Sequence, residues 1–76
     1  MVKLVFVHGW GFDATFWDEI IAAFQDYDVT CVDLGFYGEA KTDLPEQAIY
    51  ITHSMGLSWV LQNAKQIDGL VAINGF

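Results

Sequence analysis

Four short runs of apolar residues set the rhythm of the chain, and the stretches between them decide its class. Residues 2–7 are rich in β-branched and aromatic side chains and carry apolar positions in both alternating sets. A strand that is apolar on both faces belongs in the centre of a parallel sheet. Further strand-like runs fall at 29–32, 48–52 and 70–73. Between the first two, Phe16, Ile20, Ala23 and Phe24 recur at helical spacing, as do Trp17 and Ile21, and Asp13 can cap that segment. This predicts a helix over 14–24. A second helix is predicted over 54–66, with Leu57, Val60, Leu61 and Ala64 on one face. Asp68 and Gly69 read as a turn before the fourth strand.

Strands alternating with helices predict an α/β fold with a parallel sheet and right-handed crossovers. The connection over 33–46 is polar and contains glycines; it must cross over as well, yet it shows no helical period. Asn74, Gly75 and Phe76 are expected to leave the last strand. No repeat or low-complexity tract interrupts this organisation.

Composition adds a tension to the pattern. The chain has 76 residues, of which 54% are hydrophobic and 16% aromatic. A domain of that length buries only about 60% of the surface its unfolded chain exposes. Such an apolar load suits part of a larger core, and the native-looking start at Met1 places the missing part after residue 76. The net charge is −7, and Lys3, Lys41 and Lys65 are widely separated. That argues against nucleic acid and anionic membranes, which need clustered cations. The longest N-terminal apolar run, Leu4 to Val7, is too short for a signal peptide, and no stretch approaches a membrane span. Cys31 has no internal partner and reads as a buried thiol, consistent with a reducing, cytoplasmic setting.

The candidate chemistry centres on Thr52-His53-Ser54-Met55-Gly56, between a predicted strand and a predicted helix. A serine on a tight strand-to-helix turn projects its hydroxyl from the sheet edge. The amide of Met55, at a helix N-terminus, can face a developing oxyanion. A tight turn favours small residues two before and two after the serine; Gly56 meets that demand and Thr52 meets it less well. A serine at a helix start can also be only an N-cap.

This stretch resembles the nucleophile elbow of α/β-hydrolases, G-x-S-x-G, with Thr52 in place of the first glycine. Residues 4–11, ending His8-Gly9-Trp10-Gly11, resemble the family's strand and H-G-x-G loop. Asp33-Leu34-Gly35-Phe36-Tyr37-Gly38 is similar to a D-x-x-G-x-G segment offset by one residue, and 69–75 looks like the strand after the elbow helix. The His-Gly-Trp-Gly loop is similar to that of small esterases related to pimeloyl-acyl-carrier-protein methyl ester esterase.

The resemblance implies a partial α/β-hydrolase domain over 1–76 with strand order 2-1-3-4. It also implies carboxylic-ester hydrolysis with Ser54 as nucleophile and the backbone amides of Trp10 and Met55 as oxyanion donors. His8, Gly9, Gly11, His53 and Gly56 would support loop and elbow. The family's acid and histidine follow the fourth strand, so the chain is expected to lack them and to be at best weakly active alone. His8 is expected to steady its loop, and His53 to point away from the nucleophile for packing and local hydrogen bonding. The substrate would be a small or carrier-bound ester. An acyl carrier protein, being acidic, would need basic contacts that this chain does not offer. No cofactor and no metal is implied, since neither ligand spacing nor a phosphate loop is present. The competing expectation is a short protein without catalysis, an interaction module or degraded enzyme.

Overall fold

The computed structural model describes residues 2–74. Four strands run as β1 (Lys3–Val7), β2 (Asp28–Val32), β3 (Gln47–His53) and β4 (Gln66–Ile73). All three pairings are parallel, in the order β2-β1-β3-β4. The chain therefore has the α/β architecture that the alternation of strand and helix predicts.

β1 is central because its side chains serve both faces. Val5 and Val7 join Val32, Ala48, Tyr50 and Val60 on one side. Leu4 and Phe6 join Trp17 on the other, with Ile21, Phe24, Ile49 and Ile51 packed around them. From Leu4 to Val7 the strand is buried throughout. The ring of Phe6 lies 5.2 Å from Trp17 and 5.9 Å from Phe24. Burying side chains of this size contributes roughly 1.5–3 kcal/mol each.

The predicted first helix is present but divided. Ala14–Trp17 and Ala22–Phe24 are 3-10 turns, and only Asp18–Ile21 (α1) is α-helical. The Asp13 side chain accepts from the amide and hydroxyl of Thr15, setting the start as expected. Trp17 is fully buried against Phe6, which holds the first turn close to the sheet.

The second helix (α2) spans Gly56–Asn63, shorter than its hydrophobic period suggests. Ala64 is already extended, and the Asn63 amide donates to the Trp59 carbonyl in the last turn. The chain then enters β4 at Gln66. The expected turn at Asp68 and Gly69 is instead a bulge inside this strand: Ala48 pairs with Ile67, and Ile49 with Gly69, leaving Asp68 as the extra residue. A bulge and a turn draw on the same residue types. Here the chain stays in register with β3, and the Gln66 amide holds the Asp68 carboxylate at 3.0 Å.

The 33–46 crossover is irregular, as its lack of period implies. It is pinned by a bridge in which Asp33 and Lys41 exchange backbone hydrogen bonds of 3.0 and 2.8 Å, and it packs Leu34 and Leu44 onto the core. β4 lies at the sheet edge with Leu70, Val71 and Ile73 exposed. Asn74 departs from extended geometry at φ 50°, whereas the expected exit at Gly75 and Phe76 lies outside the described residues. Among the described residues, no helix is long and apolar enough to cross a membrane.

Candidate functional site

The C-terminal ends of β1 and β3 lie side by side, with Val7 opposite Thr52. Both loops that leave them therefore start from the same place, the switch point where open parallel sheets bind ligands. Ser54 is the first residue after β3 and adopts φ 54°, a left-handed conformation for a residue with a Cβ. Such a conformation costs about 1–2 kcal/mol for an L-residue and persists only where surrounding structure enforces it.

Three contacts enforce it. The Ser54 amide donates to the Ile73 carbonyl at 3.0 Å. The Ser54 carbonyl accepts from Leu57 at 3.2 Å, which starts the helical turn. Gly56 rests on the end of β1, where a Cβ would lie 2.7 Å from the Val7 carbonyl oxygen and 2.8 Å from that of His8. Only glycine fits there, which is the physical content of the last position of the Thr-His-Ser-Met-Gly pattern. The helix N-cap is Met55, so Ser54 stands outside the helix. Its position is that of a turn residue rather than of a cap.

Thr52 occupies the other small-residue position. It is fully buried, and its hydroxyl donates to the Val71 carbonyl at 3.4 Å. A threonine is tolerated because the neighbouring strand supplies a partner for its one polar atom.

The loop after β1 closes over the serine. A Cβ on Gly9 would come within 2.8 Å of both Ser54 Cβ and His53 Nδ1. Gly9 thus touches the elbow, and the amide of Trp10 follows directly in sequence. Gly11 turns the chain at φ 80°. The amides of Trp10 and Met55 therefore leave from the two segments that meet at Gly9 and Ser54.

His8 holds this loop in place. It is fully buried. Nδ1 lies 2.8 Å from the Gly9 carbonyl, and Nε2 accepts from the Leu34 amide at 2.9 Å. An acceptor at Nε2 carries no proton, so the proton resides on Nδ1 and is donated to Gly9. Asp33 Oδ1 approaches Nε2 at 3.9 Å, but a nitrogen already accepting from Leu34 is not a cation for it. Asp33 instead accepts from the Gly35 amide at 2.9 Å and lies 3.5 Å from the Ala14 amide. The loops after β1 and β2 are in this way tied together through backbone groups.

His53 is a packing residue. Its ring stacks on Phe16 at 4.4 Å and meets Phe12 edge-on at 5.5 Å. The expected local hydrogen bonding does not extend to Nδ1, which is buried without a partner. His8 has both ring nitrogens engaged with backbone and is not free to take a proton from Ser54. Among the described residues, no three potential metal-ligating side chains come together.

Pattern reading missed the aromatic surroundings of this turn. Trp10 is 70% exposed, yet its ring packs edge-to-face on Phe36 at 4.5 Å. Phe36 in turn lies 5.9 Å from His8. Phe12 and Phe16 form a second edge-to-face pair at 4.9 Å. The density of aromatics after His8 is visible in the sequence, but which rings pair is decided by the crossover that brings Phe36 beside Trp10. Two concavities lie elsewhere. One, of about 620 Å³, is lined by Val2, Lys3, Gln47, Ile49 and Asp68 at the opposite end of the strands. The other lies beneath Ile21, Phe24, Val29 and Cys31. Ser54 lines neither and is half-buried at its turn.

Searches against family models, curated proteins and solved structures found nothing that matches this chain.

Proposed function

We propose that Ser54 is the nucleophile of an ester hydrolase of the α/β-hydrolase type, in which this chain supplies the nucleophile and the backbone oxyanion donors. The observation that carries the reading is the left-handed Ser54 at the β3–α2 turn, with Gly9 against it and Gly56 seated on the end of β1. Strain of that kind is retained where a side chain must be aimed. Ser54 Oγ adds to the ester carbonyl carbon while its proton passes to a base. The carbonyl oxygen becomes an oxyanion facing the Trp10 and Met55 amides. The bond to the alcohol then breaks, leaving an acyl-serine that water hydrolyses to the carboxylic acid.

His8 is committed to Gly9 and Leu34, and His53 to its aromatic neighbours. On this reading the base is the imidazole that the resemblance to α/β-hydrolases implies, supplied from outside these two residues, and the chain by itself turns over slowly. Added imidazole tests this directly. With an activated p-nitrophenyl ester, it should accelerate formation of an acyl adduct that peptide mass mapping places on Ser54, and Ser54→Ala should abolish that adduct. Acylation spread equally over Ser54 and Ser58 would refute the site. Fast turnover without imidazole would refute the missing base.

The exposed apolar residues of β4 favour a second reading, a module that binds another polypeptide through that edge. It predicts that Ser54 is no more reactive than any surface serine.

A further inference from the structure

The aromatic pair beside the serine points to the kind of ester. Trp10 follows the glycine that touches Ser54, and its large apolar ring stands mostly in water. Phe12 and Tyr37 are exposed on the same two loops, so the ring belongs to an apolar patch of the kind that marks a contact site rather than standing alone. It is also held in a fixed pose. Phe36 meets it edge-to-face, and Phe36 sits against His8, whose two ring nitrogens are both anchored to backbone. The shelf is thus built on a braced residue and belongs to the same loop as the proposed oxyanion donor.

Charge around the shelf is of one sign. The segments that carry these rings, 8–17 and 33–41, contain Asp13, Asp33 and Glu39 against Lys41 alone, within a chain of net charge −7. An acyl group ending in a carboxylate, or carried by an acidic protein, would be repelled there.

We infer that the Trp10–Phe36 shelf binds the acyl group of the ester attacked by Ser54, and that this group is apolar and uncharged. The inference rests on the hydrolase reading and narrows it to small neutral esters. Specificity resides in Phe36, which positions the Trp10 ring and takes no part in the chemistry.

Three fluorophosphonates test it, with methyl, octyl or carboxyl-terminated octyl substituents on phosphorus and imidazole present as base. In each, an Oγ–P bond forms, the P–F bond breaks, fluoride leaves and imidazole takes the hydroxyl proton. Rates are read as Ser54 adduct by peptide mass mapping. The octyl reagent should react about tenfold faster than the methyl one, as expected for burying several methylenes on a half-open shelf. The carboxyl-terminated reagent should lose most of that advantage. Phe36→Ala should bring the octyl-to-methyl ratio close to one. Phe36→Leu, which keeps apolar bulk, serves if the alanine variant loses its native circular dichroism, and it should lower the ratio partway. Equal rates for methyl and octyl in the native chain, or a ratio that neither variant alters, would overturn the shelf and leave the nucleophile standing. No Ser54 adduct with any reagent would overturn both.

Discussion

Substituting Gly56 by alanine tests whether the end of β1 and the start of α2 are locked together. The added Cβ would meet two backbone carbonyl oxygens, at 2.7 Å from Val7 and 2.8 Å from His8, and the Val7 carbonyl carbon at 3.2 Å. Relief requires the two segments to part by roughly half an ångström, a shift of the size that overpacked cores resist. Neither can yield alone. Val7 is paired on both sides, to Val32 and Thr52, and His8 is tied to Gly9 and Leu34. Forced insertions of this kind cost about 1–3 kcal/mol. Two carbonyl oxygens met at once put the cost in the upper part of that range, about 2–3 kcal/mol; alanine returns at most about 1 kcal/mol of helix propensity, so a net loss of about 1–2 kcal/mol is expected. In a domain of this size that corresponds to a melting temperature lower by roughly 5–15 °C. Gly38→Ala is the control, since nothing lies within 4 Å of its Cβ position and its φ is not left-handed; it should stay within about 0.5 kcal/mol of the native chain. Urea and thermal unfolding followed by circular dichroism read both. An unchanged or raised stability for Gly56→Ala beside a neutral Gly38→Ala would show that the close approach is not real.

Gly9→Ala should push the loop after β1, the proposed source of an oxyanion donor, off Ser54 and His53, lowering imidazole-assisted acylation of Ser54 about tenfold or more; an unchanged rate would separate that loop from the chemistry. Ser54→Gly should be more stable than Ser54→Ala by about 0.5–1 kcal/mol, because only glycine adopts φ 54° without cost, and equal urea midpoints would argue against strain. Tyr50→Phe should be neutral or stabilising by up to about 1 kcal/mol, since the buried hydroxyl has no partner among the described residues; a loss above that would reveal one. Burial, and then Asp18, push the Cys31 thiol up. A folded pKa above the unfolded one gives stability that is complete below the ordinary thiol range and declines as pH rises through the raised value. Cys31 should therefore react with a disulfide reagent at mildly alkaline pH more slowly when folded than in urea, and equal rates would contradict the shift.

What the sequence discloses depends on how local the cause is. β1 is legible because apolar residues on both faces admit one environment, a central strand. The Ser54 turn is legible because its glycine is needed within two residues. The strand order is carried by the family resemblance. By contrast, the division of 14–24 into 3-10 and α turns follows from seating Trp17 under Phe6, a contact across the fold. The bulge at Asp68 is invisible for a similar reason. Asp-Gly permits a turn or a bulge, and only pairing with β3 selects between them. The shelf at Trp10 depends on Phe36, delivered by a crossover with no periodic signal. His8 shows both sides of this: its loop could be read, whereas its bond from Leu34, across two strands, could not.

The placement of β1 also bears on the order of events during folding. Leu4 takes Val29 as one neighbour and Ile49 as the other, both far along the chain. Two long loops must close before the hub strand is held, and loop closure of that kind slows the search. Gly56 finds its seat only once Val7 and His8 are in place. Ser54 is therefore oriented late, and partly folded forms of the chain carry its hydroxyl without its orientation.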